Sequence, residues 1–271
     1  MTAPRLHFAD SRDAADLAAF LARLIHYDRA AVVRLQAGGG VLAVFGRPPS
    51  FEVLAIRTAR LADPEPELDV TVSAGQLADA LDAARAARPV PSVPSPAGAP
   101  SAPDAPGTLQ VPLPESVTGP PWAGVLPPRG GWQRVVGLPD EQMLVSAVGA
   151  AVAEFRERDA ALPEERRTRV ERDRIGRQIW SRTLGDTGLP LRAVHAAQSL
   201  GFLRPVPVRA GAQGSGGSAQ GRPRAGAAVA APAAEERLVL FAASGWLRLR
   251  SPYGSIAVRT GGLSGLTVTP A

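Results

Sequence analysis

The chain has 271 residues, 45% of them hydrophobic, enough for one large domain or two small ones with a sizeable core. Cysteine is absent, which excludes disulfides, thiol catalysis and cysteine-ligated zinc or iron–sulfur clusters. All 30 basic residues are arginine, the acids number 25, and the formal charge is +5.

With abundant Ala, Gly and Pro, that arginine excess reads as codon bias of a GC-rich bacterial genome before it reads as nucleic-acid chemistry. It is also unevenly placed. Residues 206–271 hold 7 Arg against 2 acids, whereas 1–90 hold 10 against 11. No apolar run reaches the roughly 18 residues that span a bilayer, and the first residues lack the apolar core of a signal peptide. The expectation is a cytoplasmic protein with no membrane partner.

In chain order, residues 12–25 predict an amphipathic helix capped by Asp10 or Ser11, with Leu17, Phe20, Leu21, Leu24 and Ile25 on one face. Three strands follow near 31–36, 41–45 and 52–59, the first turn made by Gly38, Gly39 and Gly40 and the second by Arg47–Ser50. A fourth strand covers Asp69–Val72, and Ser73 caps a helix over about 75–88 with Leu77 and Leu81 inward. Residues 1–88 thus form a helix–meander–helix unit.

Residues 89–121 are proline-rich and predict a linker, since proline removes donors and fixes φ. Trp122 and Trp132 mark the chain re-entering packed structure. A helical segment fills 122–205. Its first helix is 139–161, with Pro139 in the first turn and Met143, Leu144, Ala147, Val148, Ala151 and Phe155 as its stripe. The second is 164–183, with Glu165–Arg169 and Asp173–Arg177 at pairing distance along the helix. The third is about 190–201, ending at Gly201. Residues 206–235 are a second, Gly/Ala-rich linker, and 236–271 carry a C-terminal meander that packs with the N-terminal unit.

The two meanders, 32–58 and 237–260, align with Gly40 on Gly245 if the second turn of the first is opened by three residues. Leu42 then falls on Leu247, Pro48 on Pro252, Ala55 on Ala257, Arg57 on Arg259 and Thr58 on Thr260. Two readings are open: shared alternation and glycine turns alone, or a duplicated unit whose copies share one core or one sheet. The fold class is α+β, two antiparallel meanders forming a possible pseudo-repeat, with flanking helices and an inserted helical segment.

The order helix (12–25), strands (31–72), DVTVSAGQLADAL opening a second helix, then another meander (237–260) resembles one domain of the sliding DNA clamps. The resemblance implies two helix-plus-strands halves of one domain. It is one of element order and carries no residue motif, so it implies no clamp function.

The meanders differ in their outer faces. In the first, Val41, Ala43 and Phe45 oppose Leu42 and Val44, so both faces are apolar and both are expected to be covered. In the second, Leu247 and Leu249 face the core, and Trp246, Arg248, Arg250 and Arg259 share the opposite face. An aromatic ring among arginines suits an acidic protein or a nucleic acid. The alternative is a solvated arginine face with Trp246 covered by a helix.

Other chemistry finds little support. His7, His26 and His195 are scattered, and no catalytic group, metal site or cofactor is assigned. Helices 164–183 and 190–201 with the following hairpin are also readable as a winged helix, with HAAQSLGFL as the end of its recognition helix. The leading expectation is a non-catalytic binding or assembly module with a protein partner. Nucleic-acid binding through the same face or through helix 164–183 is the second, and an enzyme whose residues meet only in three dimensions the third.

Overall fold

The computed structural model describes residues 4–63, 67–87, 107–204 and 238–260. Strand β1 (Arg5–Phe8) leads to helix α1 (Ser11–Tyr27) and strands β2 (Val32–Gly38), β3 (Val41–Gly46), β4 (Leu54–Arg60) and β5 (Leu68–Ser73). Helix α2 (Ala74–Ala86) and strands β6 (Leu109–Pro112) and β7 (Gln133–Val135) follow. Helices α3 (Glu141–Ala160), α4 (Arg169–Trp180) and α5 (Leu191–Ser199) precede the last strands, β8 (Val239–Ala243), β9 (Trp246–Ser251) and β10 (Gly254–Arg259). The fold is α+β.

Both meanders open on the same two-residue turn. Gly39 and Gly40 have φ of 60° and 76°, and Ser244 and Gly245 have 42° and 76°. Positive φ at both central residues gives the turn whose twist matches the flanking strands. The meanders then join through their last strands, in the order β5-β2-β3-β4-β10-β9-β8-β7, every pairing antiparallel. At the centre Ile56 faces Ser255, Ala55 faces Ile256 and Leu54 faces Ala257. β1 and β6 form a separate two-stranded sheet.

One face of the large sheet carries all the helices. Leu42, Val44, Leu247, Leu249, Ile256 and Val258 pack in one cluster with Leu17, Phe20, Leu21 and Leu24 of α1 and Leu77 and Leu81 of α2. The same cluster takes in Leu144 and Val148 of α3, Ile175 and Ile179 of α4, and Val194 of α5. Caps fix the helix starts: the Asp10 carboxylate accepts from Arg12 N, and the Ser73 hydroxyl from Gln76 N. No described helix is long and apolar enough to cross a membrane.

Several expectations are corrected. Val41 pairs with Arg60, and Trp246 with Arg259. With the first turns superposed, Arg259 is therefore the counterpart of Arg60, and Arg57 that of Ile256. The identities proposed along the third strand are out of register by three residues, an odd number that exchanges the two faces. The linker expected over 89–121 ends early, because Leu109–Pro112 pairs with β1 and Val117 N donates to Thr71 O. Residues 88–106 and 205–237 lie outside the described residues.

In the helical segment, Asp140 caps α3 and leaves Pro139 outside it, and Met143 is exposed. The charged helix begins only at Arg169, because Thr168 caps it; Asp173 therefore pairs with Arg169 rather than Glu165 doing so. A winged-helix reading fails at α5. Its Leu191, Ala193, Val194, Ala196 and Ala197 are buried against the core, and the hairpin that would be its wing, β8 and β9, lies inside the eight-stranded sheet.

Candidate functional site

Strand alternation and register decide which side chains share the outer face of the sheet. Arg248 lies beside Phe241 on β8, which has Arg134 of β7 on its other side. One row on, Val239, Arg250, Ser255 and Ile56 follow one another across β8, β9, β10 and β4. No single segment of sequence contains this arrangement; the ladder assembles it.

The middle of this face is covered. Residues 122–132 lay Trp122, Leu126 and Trp132 over a patch of Phe45, Leu54, Ile56, Trp246 and Ala257. Trp132 Nε1 donates to Pro128 O at 3.0 Å, which closes the segment on itself. Beside Trp132 a groove of about 970 Å³ stays open, running from Val41 and Arg60 across Ile56 and Ser255 to Arg250, Phe241 and Arg134. It crosses the strands from β3 to β7, roughly 24 Å at about 4.8 Å per strand.

The groove is basic. Arg60, Arg134, Arg248 and Arg250 line it, with Arg57 at its border sending its guanidinium to the helix side, and Asp13 is the one acid among the described lining residues. Two of the arginines are neutralised locally: Arg57 donates to Asp16 at 2.7 Å, and Arg60 to Asp13 at 3.2 Å. Arg248 and Arg250 meet no carboxylate among the described residues. Arg248 Nε is buried without a hydrogen-bond partner, and its guanidinium lies 5.9 Å from the Trp132 ring. Burial, and behind it the charge of Arg250, holds Arg248 below the usual arginine range. It stays a cation all the same, since a guanidinium does not deprotonate in proteins. Two like charges side by side on one strand, one of them half-buried, are a standing electrostatic cost that a bound anion removes.

The four residues expected to form a binding face do share one, but the fold divides them. Arg248 and Arg250 line the groove. Trp246 is only 8% exposed, sealed under residues 122–132, whose first turn belongs to the short 3-10 helix Pro121–Gly124. Arg259 sits over the Trp246 ring at 5.7 Å, outside the groove. Phe241, Trp132, Arg60 and Arg134 join the site without a sequence signal: Arg134 lies in a three-residue strand, and Trp132 meets Arg248 only through the covering segment. Of the histidines, His7 Nδ1 contacts Asp63 at 2.5 Å, and His195 stacks on Trp180 at 4.4 Å; none lines the groove.

Residues 1–102 match the model of a family described as a domain of unknown function (DUF8010). Residues 127–263 match a second, also described as a domain of unknown function (DUF8185), and this stretch is just over half of the chain. The chain belongs to the DUF8185 family. No curated protein and no solved structure matches it. The groove takes residues from both matched stretches, Val41, Ile56 and Arg60 from the first and Trp132, Phe241, Arg248 and Arg250 from the second.

Proposed function

We propose that this chain is a non-catalytic binding module that holds an extended anionic partner in the groove across its sheet. The observation that carries the reading is the pair Arg248 and Arg250, uncompensated by any described carboxylate in a groove whose described lining holds a single acid. A preformed concave site with few, placed cations suits recognition of a chain of negative charge.

Retention on a sulfated-polysaccharide resin tests it. Arg248→Glu with Arg250→Glu should elute at much lower salt than the unaltered protein. A control pair on exposed helical positions, Arg156→Glu with Arg169→Glu, changes the net charge equally and should elute close to the unaltered protein. If the two pairs elute together, retention reflects net charge alone and the reading fails.

We place the module in the cytoplasm, as its sequence suggests; recovery with the membrane pellet on cell fractionation would overturn that. We also take the two meanders as halves of one clamp-like domain, an arrangement supported by the β4–β10 pairing and the shared helical face. No role in encircling DNA follows from it.

A further inference from the structure

We infer that the groove binds single-stranded nucleic acid, with phosphates on Arg248 and Arg250 and bases against Phe241 and Trp132. This rests on the proposed anion-binding role of the same groove and names the class of anion.

The choice follows from where the groove lies. An acidic peptide commonly docks on a sheet by adding a strand at an edge, where main-chain donors and acceptors are free. This groove runs over the face of the ladder instead. The backbone groups beneath it are already paired between β4, β10, β9, β8 and β7. Recognition there depends on side chains, and the groove offers two kinds. Guanidiniums meet phosphate oxygens in the geometry of their fork. Between them stand apolar surfaces: the half-buried ring of Phe241, flanked by Arg134 and Arg248, and the Trp132 ring facing Arg248. A polyglutamate chain would satisfy the cations and leave the apolar surface of the rings uncovered. A nucleic-acid strand satisfies both, because every base has a π face to stack and every linkage a charge.

The same rings argue for a single strand. In a duplex the base faces are hidden in the stack, and only unpaired bases can lie on a protein ring. Arg248 and Arg250 stand two residues apart on the same face of β9, a spacing of roughly 7 Å that suits neighbouring phosphates of one chain. The row that holds Arg250 is otherwise small or apolar, Val239 on one side and Ser255 and Ile56 on the other, and leaves room for bases and sugars.

Fluorescence anisotropy with a labelled 12-mer of deoxythymidine tests this, beside the same length of duplex DNA and a labelled polyglutamate peptide. The single strand should bind more tightly than either. Arg250→Gln should lower the slope of log K against log salt by about 0.7, the loss of one phosphate contact to a single strand. Phe241→Leu keeps an apolar side chain of similar size but removes the ring. It should weaken single-strand binding about tenfold with unchanged thermal stability, and leave polyglutamate binding alone. Equal binding of duplex and single strand, or an unaltered affinity in Phe241→Leu, overturns the stacking and with it the inference. Polyglutamate binding that is stronger than oligonucleotide binding, and is lost in Arg248→Glu/Arg250→Glu, overturns the inference while the anion-binding reading stands. If none of the three probes binds, both fall.

Discussion

The two meanders share a turn, a strand order and an inner face, and part company on everything else. Val41, Ala43 and Phe45 of β3 occupy the positions that Trp246, Arg248 and Arg250 occupy in β9, counted from turns of the same type. The first set is apolar, and its Phe45 is sealed by residues 122–132. The second is covered only at Trp246 and opens into the groove from Arg248 onward. The inner faces answer the demand of one common core and so stay alike, Leu42 and Val44 against Leu247 and Leu249. An outer face under no such demand is free to take on charge. We therefore place the proposed binding function in the half that departs from the apolar pattern.

The third strands sharpen this contrast, and give the largest expected effect. Gly254 of β10 is the counterpart of Ala55 in β4. Ala55 is fully buried without strain, whereas Gly254 has φ of 151°, and a Cβ there would stand 2.6 Å from the ring of Phe202. That ring stacks on Phe20 of α1 at 5.7 Å and has no free direction in which to retreat. Gly254→Ala should cost about 2–5 kcal/mol, overpacking and backbone strain together. The reverse change at the matching position, Ala55→Gly, should cost about 1 kcal/mol. Urea unfolding measures both; equal losses would mean that the halves are packed alike and that the asymmetry drawn here is wrong.

A second break in symmetry lies on the helix side. Arg57 is the counterpart of Ile256, yet it points its guanidinium among the helices. There it donates to Asp16 of α1 at 2.7 Å and to the carbonyl of Tyr253 in the turn of the other meander. Arg204 lies 4.2 Å over the Tyr253 ring and 3.9 Å from the same Asp16. One buried arginine thus ties helix, first meander and second turn together. Arg57→Met keeps the stem and removes these bonds. It should lower stability by about 1.5–3 kcal/mol, toward the smaller figure because Asp16 is partly open to water. Asp16→Asn added to it should bring little further loss; full additivity in a double-mutant cycle would show that the two groups are not coupled.

Much of this architecture was legible in the chain. Alternation placed Leu247, Leu249, Ile256 and Val258 inward and the arginines outward, because a period of two admits one choice when one face is buried. Glycines and the Asp10 and Ser73 caps marked turns and helix starts. What stayed hidden was long-range. Nothing local says that Leu109–Pro112 pairs with residues a hundred positions earlier, or that β7 lies on the edge beside β8. The third-strand alignment went astray because identities of Ala, Arg and Thr are common in so biased a composition, and only cross-strand register could correct them. The groove was half visible: Arg248 and Arg250 follow from alternation, while Trp132, Phe241 and Arg60 reach them only through pairings made in three dimensions.

The second turns of the meanders supply the last and smallest contrast. The short turn at Pro252 and Tyr253 is held by Arg204, whose guanidinium lies over the Tyr253 ring. The longer loop 47–53 instead presents Phe51 edge-on to His195 at 5.0 Å, and His195 stacks on Trp180 of α4. Burial lowers the pKa of His195, so the fold favours its neutral ring. The unfolded chain then binds the proton more readily, near the ordinary value of about 6.5. The stabilisation is complete above that value and drains away as pH falls from there through the lower folded-state value. Thermal unfolding followed from pH 7.5 to 5 should therefore show a loss that His195→Leu reduces. An unchanged slope in His195→Leu would mean that the aromatic stack tolerates the imidazolium, and that the first meander's loop is held no differently from the second's.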